Sequence, residues 1–175
     1  MNFLKTQLDG VYEIENKKIE DYRGSFVKTF NKSVFSEHGL DSDFKESFYS
    51  ISKKNVLRGM HFQLPPYDHA KLVYVTQGEI LDVVVDIRKL SPTYGKYFSI
   101  RLSDKNRKSL YMEKGFAHGF LTLSDSATVV YLINSEYSPE HDTGIHWNSF
   151  GFNWPNSQPI ISKRDELLLD LTDVK

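Results

Sequence analysis

Short runs of β-branched and aromatic residues, separated by turn residues, dominate the middle of this chain. Such runs favour strands, because side chains on a strand alternate between two faces and branched residues pack well on a pleated surface. Many short strands at regular spacing are typical of an all-β sandwich or barrel of the jelly-roll type. The predicted strands span residues 58–63, 71–76, 80–87, 97–102, 109–112, 119–123 and 128–133.

The second and third of these runs flank a turn at Gly78, and this arrangement predicts a β-hairpin. In the third run, Asp82 and Asp86 are separated by an even number of residues. They are therefore expected to share one face of the strand with Val84, opposite the other apolar residues of the run.

Helix is sparse in the predicted fold, and the helices lie towards the two ends of the chain. Residues 32–38 predict a short helix that ends at Gly39, and residues 162–169 predict a second one with Ser162 as its N-cap.

Length, charge and cysteine content exclude several classes of protein. The 175 residues suit a single domain over the whole chain, 1–175, and the balance of 22 basic against 23 acidic residues makes nucleic acid an unexpected partner. The absence of cysteine excludes disulfides, thiolate metal sites and a cysteine nucleophile. The first residues lack the apolar core of a signal peptide and no run is long enough to span a bilayer, so a cytoplasmic protein without a membrane partner is expected.

Two histidine-bearing strands carry the candidate chemistry. His61 lies on a strand with Arg58 and Gln63, with Lys71 further along, and His118 lies in the glycine-flanked segment 115–120. A single histidine is more often a satisfied core residue, but this one has ionisable neighbours. Because histidine is the side chain best suited to move protons near neutral pH, we interpret the cluster as a proton-handling pocket.

A metal site is a poor interpretation of the same residues. A β-barrel metal centre needs two histidines alternating on one strand and a carboxylate, whereas His61 is followed by Gln63, a poor ligand. His69 follows in a proline-rich loop and is expected to face solvent. We therefore predict no metal.

Three further residues have both structural and functional interpretations. Tyr131 fits a strand core or a phenol that delivers a proton, and Tyr137 fits a rim aromatic or a ring that stacks on a nucleobase. Asp165, taken alone, is an ordinary acid in the first turn of a helix.

Four motifs in this order resemble the dTDP-4-dehydrorhamnose 3,5-epimerase family, a metal-free branch of the cupin jelly rolls. They are residues 54–63, residues 82–88 with 91–95, residues 115–122, and residues 137–139 with 144–147. The resemblance extends from Asp21 to Asp165. It implies an epimerase that needs no cofactor and acts on a nucleotide-linked 4-keto-6-deoxy sugar for surface polysaccharide synthesis.

The resemblance also implies roles for the reacting residues. His61 would be the base that removes a proton from C3 or C5, which both flank the ketone, and Asp165 would orient it. Tyr131 would return a proton on the opposite face. Lys71, helped by His118, would stabilise the enolate oxygen.

Diphosphate binding and assembly are implied in the same way. Arg23 and Arg58 would hold the diphosphate, since the guanidinium group suits bidentate contacts. In the family the residue at Arg23 reaches the neighbouring subunit's site from an exchanged N-terminal segment, here residues 1–30, so a homodimer is implied.

The remaining implied substrate-binding residues are Lys28, Glu46, Phe48, Gln63, Tyr137, Asp142 and Arg164. The chain departs from the family pattern at Lys28, at residues 46–48, at Asp142 and at Arg164. Because a glutamate only accepts hydrogen bonds, Glu46 could pair with guanine, and a GDP-linked 4-keto heptose or hexose becomes an alternative substrate.

Other functions stay open at this point. The sequence does not decide whether C3, C5 or both are inverted. A ketoisomerase on the same scaffold is disfavoured because it would carry two histidines close together on one strand. A non-catalytic sugar-nucleotide-binding jelly roll would have no reason to keep His61, Tyr131 and Asp165 together.

Overall fold

A computed structural model describes residues 1–174, which form two large antiparallel sheets and one small one. The strands are β1 (Asn2–Lys5), β2 (Val11–Glu15), β3 (Lys18–Asp21), β4 (Gly24–Val27), β5 (Glu46–Lys53), β6 (Leu57–Gln63), β7 (Lys71–Gln77), β8 (Glu79–Asp86), β9 (Tyr97–Ser103), β10 (Lys108–Met112), β11 (Phe116–Thr122), β12 (Ser126–Ile133) and β13 (Asp142–Gly144). The six-stranded sheet has the order β1-β2-β10-β7-β12-β5, and the five-stranded sheet has the order β13-β6-β11-β8-β9. The predicted all-β jelly-roll class is confirmed.

The main core lies between the two large sheets. Val73 of β7 and Val129 of β12 pack in one apolar cluster with Val84 of β8 and Phe120 of β11. The alternation along β8 is as predicted, since Val83 and its odd-numbered neighbours belong to a different cluster. That second cluster packs the C-terminal segment, with Phe150, Trp154 and Leu171, on the other face of the five-stranded sheet.

The predicted hairpin between β7 and β8 is wrong. β7 pairs with β10 and β12, whereas β8 pairs with β9 and β11 in the other sheet. The chain crosses between the sheets at Gly78, which has a φ of +81°. Any other residue would have its Cβ 2.1 Å from the carbonyl oxygen of Ser126, so only glycine fits this crossing. Both strands turn an apolar face to the same core, and this pattern is identical for a hairpin and for a crossing between sheets.

The helices are shorter than the sequence predicted. Helix α1 (Lys32–Glu37) begins at Asn31, whose side chain accepts a hydrogen bond from the backbone N–H of Val34. Helix α2 (Lys163–Glu166) has Ser162 as its N-cap, as predicted, but ends well before residue 169. The chain turns there because Leu169 forms a β-bridge with Ile145, and a short 3₁₀ helix (Leu171–Asp173) follows.

The hairpin of β3 and β4 stands outside both large sheets. It carries exposed apolar side chains at Ile19, Tyr22 and Phe26, with Tyr22 97% exposed. The preceding strands β1 and β2 are part of the chain's own six-stranded sheet, where β2 pairs with β10. Among residues 1–174, no helix is long and apolar enough to cross a membrane.

Candidate active site

A cavity of about 490 Å³ opens between the two large sheets. All the predicted site residues line it except Asp165, Arg23 and Lys28. The lining residues from the prediction are Glu46, Phe48, Arg58, His61, Gln63, Lys71, His118, Tyr131, Tyr137, Asp142 and Arg164.

His61 and Asp165 form a hydrogen-bonded pair at one wall of this cavity. His61 Nε2 lies 2.8 Å from Asp165 Oδ1, and the backbone N–H of Gly59 donates to Asp165 Oδ2 at 3.3 Å. Burial opposes ionisation of Asp165, but these hydrogen bonds outweigh it and hold the pKa of its carboxyl below the ordinary value. An ionised carboxylate accepts a hydrogen bond from Nε2–H, so the neutral His61 ring keeps its lone pair on Nδ1.

A second histidine–carboxylate pair lies on the neighbouring strands. His118 Nε2 is 2.9 and 3.0 Å from the two carboxylate oxygens of Asp82, and both residues are buried. Burial, together with the charges of Lys71 and His61, lowers the pKa of His118 against the opposing effect of Asp82. His118 is also the residue directly opposite His61 in the β6–β11 pairing.

The sequence interpretation missed the contact that Asp82 makes. Its parity along β8 had placed Asp82 on the same face as Val84, and that face is the inner one. The signal was therefore present, but the partner became apparent only from the register of β8 against β11.

Close approach of the two backbones fixes the spacing of β6 and β11. A Cβ on Gly119 would lie 2.7 Å from the carbonyl oxygen of Arg58 and 3.0 Å from the Cα of Gly59. Since neither glycine position leaves room for a side chain, His61 and His118 are held as neighbours by main-chain contact.

Lys71 and Tyr131 lie on the opposite, six-stranded sheet. Burial lowers the pKa of Lys71 to about 8, although the charges of Asp82 and Asp142 act in the other direction. The Tyr131 hydroxyl lies 3.2 Å from the hydroxyl of Ser50, and burial raises the pKa of the phenol. A histidine and a tyrosine thus lie on opposite walls of one cavity, an arrangement that suits proton removal on one side and proton return on the other.

Two residues at the open side of the cavity present groups suited to an anionic or aromatic ligand. Arg58 is exposed, and its Nε donates to the buried hydroxyl of Ser52 at 2.9 Å. Phe48 stacks on Tyr131 with a ring-centroid separation of 4.9 Å. The guanidinium group of Arg58 is therefore oriented but keeps donors for a ligand.

Hydrogen bonds connect the other rim residues to one another. The Tyr137 hydroxyl donates to Asp142 at 3.3 Å, and Arg164 forms an ion pair with Asp142 at 2.8 Å. Glu46 Oε1 accepts the backbone N–H of Tyr137 at 2.8 Å. Glu46 thus anchors the loop that carries Tyr137, and one of its carboxylate oxygens is already in use.

Gln63 lines the cavity, but its amide is occupied by contacts within the chain. Its Nε2 donates to the carbonyl oxygens of Tyr67 at 3.0 Å and Glu136 at 3.1 Å, and its Oε1 accepts the N–H of Ser138 at 2.7 Å. Gln63 therefore connects two loops to β6 at the cavity wall.

The expectation that His69 faces solvent is wrong. The side chain is partly buried, lines the cavity, and has its pKa lowered to about 4 by burial and by the charge of Lys71. A second cavity of about 270 Å³ shares Phe62, Gln63, His69 and Lys71 with the first. The proline-rich loop concealed this placement, although the even spacing of His69 and Lys71 put them on one side of the chain.

The structure does not bring Arg23 and Lys28 to the cavity of their own chain. Arg23 lies at the tip of the β3–β4 hairpin, where it is exposed and pairs with Asp21 at 2.6 Å. Lys28 follows the hairpin and is also exposed.

Within residues 1–174 there is no group of three or more histidine, cysteine, aspartate or glutamate side chains that could hold a metal ion.

The sequence model of a family described as dTDP-4-dehydrorhamnose 3,5-epimerase matches residues 5–173. The chain belongs to this family. The prediction of a sugar-nucleotide epimerase is confirmed.

Individual relatives agree with this assignment over nearly the whole chain. A dTDP-4-dehydrorhamnose 3,5-epimerase from Methanothermobacter thermautotrophicus is 46% identical over 168 residues, which cover 93% of this chain and 90% of the relative. A crystal structure of dTDP-6-deoxy-D-glucose-3,5-epimerase from Legionella pneumophila, in complex with dTDP-4-keto-L-rhamnose, has a TM-score of 0.95 at 36% identity and covers 99% of this chain and 94% of that one. A dTDP-4-dehydrorhamnose 3-epimerase from Streptomyces niveus is 36% identical over 171 residues, covering 96% and 83% of the two chains. These relatives give no support to a GDP-linked substrate or to a non-catalytic binding module.

Proposed function

We propose that this enzyme inverts C3 and C5 of a dTDP-linked 4-keto-6-deoxy sugar, as a step towards a deoxysugar of a surface polysaccharide. One observation carries the proposal: the His61–Asp165 pair faces Tyr131 across a cavity whose wall also holds Lys71. A base, an opposed acid and a cation are the groups needed to invert a carbon next to a ketone.

In the proposed reaction, Nδ1 of His61 removes the proton from the carbon next to the ketone, and the C–H electron pair forms an enolate. Asp165 stabilises the resulting imidazolium. Lys71 donates to the enolate oxygen, and His118, which Asp82 holds in place, lines the same cavity. Tyr131 then gives its proton to the opposite face of the carbon.

The atoms of substrate and product balance in this scheme. One C–H bond breaks and one forms, nothing is oxidised or reduced, and the scheme needs no redox cofactor. Each inversion leaves an imidazolium at His61 and a phenolate at Tyr131, and proton exchange with solvent resets both. The same base and acid can then serve C3 and C5 in turn, because both carbons flank the ketone.

Substrate binding is proposed at the rim of the cavity. Arg58 would contact the diphosphate, while Phe48 and Tyr137 offer aromatic faces to the nucleobase. The choice of dTDP over GDP is supported by the relatives and by Glu46, whose carboxylate already accepts the backbone N–H of Tyr137. Asp142 and Arg164 would hold the Tyr137 loop and meet the nucleoside.

The central experiment is incubation with dTDP-4-keto-6-deoxyglucose in deuterated water, followed by NMR. Deuterium at C3 and C5 and inversion of both centres are expected. Inversion at C3 alone would restrict the activity to that centre, a 3-keto product would indicate a ketoisomerase, and no exchange would refute the epimerase. Equal turnover of the GDP-linked substrate would refute dTDP specificity.

A His61→Asn variant separates an enzyme from a binding module. Exchange should fall to background while dTDP still binds with unchanged affinity, since His61 touches the sugar and not the nucleotide. His38→Asn is a matched control because His38 is exposed on the outside of the fold, at the end of α1.

We further propose a homodimer in which the β3–β4 hairpin of each subunit supplies Arg23 and Lys28 to the partner's cavity. The exposed apolar side chains Ile19, Tyr22 and Phe26 support this, since a lone hairpin rarely exposes so much apolar surface without a partner. The exchanged part of residues 1–30 would then be the hairpin rather than β1 and β2.

Subunit mixing tests this arrangement. Arg23→Ala and His61→Asn homodimers should each be nearly inactive. Mixed dimers should regain up to half the wild-type activity per dimer, because one of the two cavities then has both native residues. Failure to regain activity after mixing would refute the exchange.

A further inference from the structure

His69 lies beside Lys71, the proposed donor to the enolate oxygen, but has no role in the reaction described above. It precedes Lys71 by two residues, and both line the catalytic cavity and the smaller cavity next to it. Its hydrogen-bonding state can be worked out from the atoms around the ring.

The neighbouring amide of Gln63 fixes this state. Because the N–H of Ser138 donates to Gln63 Oε1, the amide orientation is determined. The two hydrogens on Gln63 Nε2 then go to the carbonyl oxygens of Tyr67 and Glu136, leaving none for His69 Nδ1, which is 3.2 Å away.

His69 Nδ1 must therefore carry a hydrogen itself. It lies 3.1 Å from the carbonyl oxygen of Tyr67, which can only accept. A lone pair on Nδ1 would face the lone pairs of that oxygen, so the stable tautomer donates from Nδ1 and leaves Nε2 as a bare acceptor.

His69 Nε2 is available to a ligand. It makes no hydrogen bond with any residue of 1–174. The fully buried side-chain polar atoms without a partner in this part of the chain are Asn16 Oδ1 and Thr122 Oγ1, so His69 Nε2 is not fully buried. The His69 side chain lines both cavities, so a ligand in either cavity lies beside it. Because burial and Lys71 lower the pKa of the ring to about 4, the ring is neutral near pH 7.

We propose that His69 Nε2 accepts a hydrogen bond from the substrate hydroxyl at C3, next to the ketone, and so discriminates between substrates. A neutral acceptor would repel the enolate oxygen, which Lys71 attracts, but it matches a hydroxyl donor beside that oxygen. Of the two carbons flanking the ketone, C3 bears a hydroxyl, while C5 bears the ring oxygen and the methyl group. This inference rests on the proposed function.

The proposal gives His69 a further effect on the reaction. Inversion at C3 moves the hydroxyl to the other face of the sugar ring, so one C3 configuration makes the hydrogen bond and the other loses it. His69 thereby biases the equilibrium between bound C3 epimers without taking part in proton transfer.

A cycle of enzyme and substrate changes tests the proposal. The readout is kcat/KM for deuterium exchange at C5, which both dTDP-4-keto-6-deoxyglucose and its 3-deoxy analogue can undergo. In the wild type, removal of the 3-hydroxyl should lower kcat/KM by about 5–10-fold, the effect of one lost hydrogen bond. His69→Leu should lower kcat/KM by a similar factor with the hydroxylated substrate, and removal of the 3-hydroxyl should then cause no further loss. His38→Leu should behave as wild type with both substrates.

Several outcomes decide the matter. Equal losses for both substrates in His69→Leu, or sensitivity to a 2-deoxy instead of the 3-deoxy analogue, would overturn the role of His69. Absence of C5 exchange in the wild type would instead refute the proposed function. If His69→Leu does not fold, as judged by thermal unfolding, His69→Gln serves in the same cycle, because its amide retains an acceptor and should restore part of the discrimination.

Discussion

The His61 ring and the Asp165 carboxylate meet at 2.8 Å although the two residues are 104 positions apart in the chain. Strand β6 supplies the histidine, and the short helix α2 supplies the carboxylate. The backbone N–H of Asp165 donates to the hydroxyl oxygen of Ser162, which caps this helix. A buried carboxylate in this position selects the histidine tautomer and stabilises the imidazolium that forms when the base takes a proton.

Replacing Asp165 with Asn should lower kcat by about 10²–10⁴-fold, because an amide cannot stabilise the imidazolium and permits the wrong tautomer. KM should change little, since Asp165 does not line the substrate cavity. Steady-state kinetics would measure both parameters. Glu166→Gln, an exposed neighbour on the same helix, is the control. Wild-type kcat in the Asp165 variant would contradict the dyad.

The charge of Lys71 should give the enzyme an alkaline limit. A lysine is a cation below its pKa, so with a pKa of about 8 the cationic fraction falls as pH rises through 8, and kcat/KM should fall with it. Lys71→Arg should move this limit upwards because arginine stays charged. Lys71→Met should lose most activity at every pH. A flat pH–rate profile between pH 7 and pH 10, a range that extends about two units above the lysine pKa, would exclude this role.

The acid Tyr131 should be needed for inversion but not for proton removal. In Tyr131→Phe we expect His61 to continue exchanging the substrate hydrogen with solvent deuterium, while inversion falls by about 100-fold or more. NMR of the recovered sugar would show deuterium with retained configuration. Tyr49→Phe, an exposed tyrosine on β5, should invert normally. Unchanged inversion in Tyr131→Phe would assign the acid elsewhere.

Acid stability should depend on Asp86, a buried carboxylate at the end of β8. Burial opposes its ionisation, but hydrogen bonds from Arg88, Ser91 and Thr93 lower its pKa to about 2. Since the folded pKa lies below the unfolded value of about 4, its stabilisation is full above pH 4 and is lost as pH falls through about 2. The contribution is about 2 kcal/mol.

Asp86→Asn should therefore lower Tm by about 5 °C at pH 7, with the difference from wild type shrinking towards pH 2. Thermal unfolding followed by circular dichroism over this range would measure it. Asp125→Asn is the control, because that side chain is 97% exposed and its pair with Lys54 is worth little. A difference in Tm that stays constant with pH would point to packing instead of charge.

The sequence predicted the elements better than their partners. Alternation along β8 predicted that Asp82 and Val84 share one face, because side chains on a strand alternate with a period of two. The same alternation could not distinguish a hairpin at Gly78 from a crossing between sheets, since both bury the same face. Strand pairing depends on long-range packing that a local pattern does not encode.

For the candidate site too, the sequence predicted individual residues better than the contacts between them. Residue chemistry alone drew attention to His61, but Asp165 looked like an ordinary helix acid, and only the family resemblance joined the two. His69 was expected in solvent because its loop is rich in proline. Its place beside Lys71 depends on how Gln63 ties that loop to β6, a contact that no spacing rule predicts.

The contact between Gly59 and Gly119 has a consequence for how such an enzyme can diversify. The distance between the two histidine strands is set by main chain, whereas the residues proposed to meet the nucleotide, such as Glu46 and Tyr137, lie at the rim of the cavity. Recognition can therefore be rewritten by substitutions at the rim while the proton-transfer geometry is inherited unchanged. A library that seeks a new nucleotide sugar should vary the rim and leave both glycines intact.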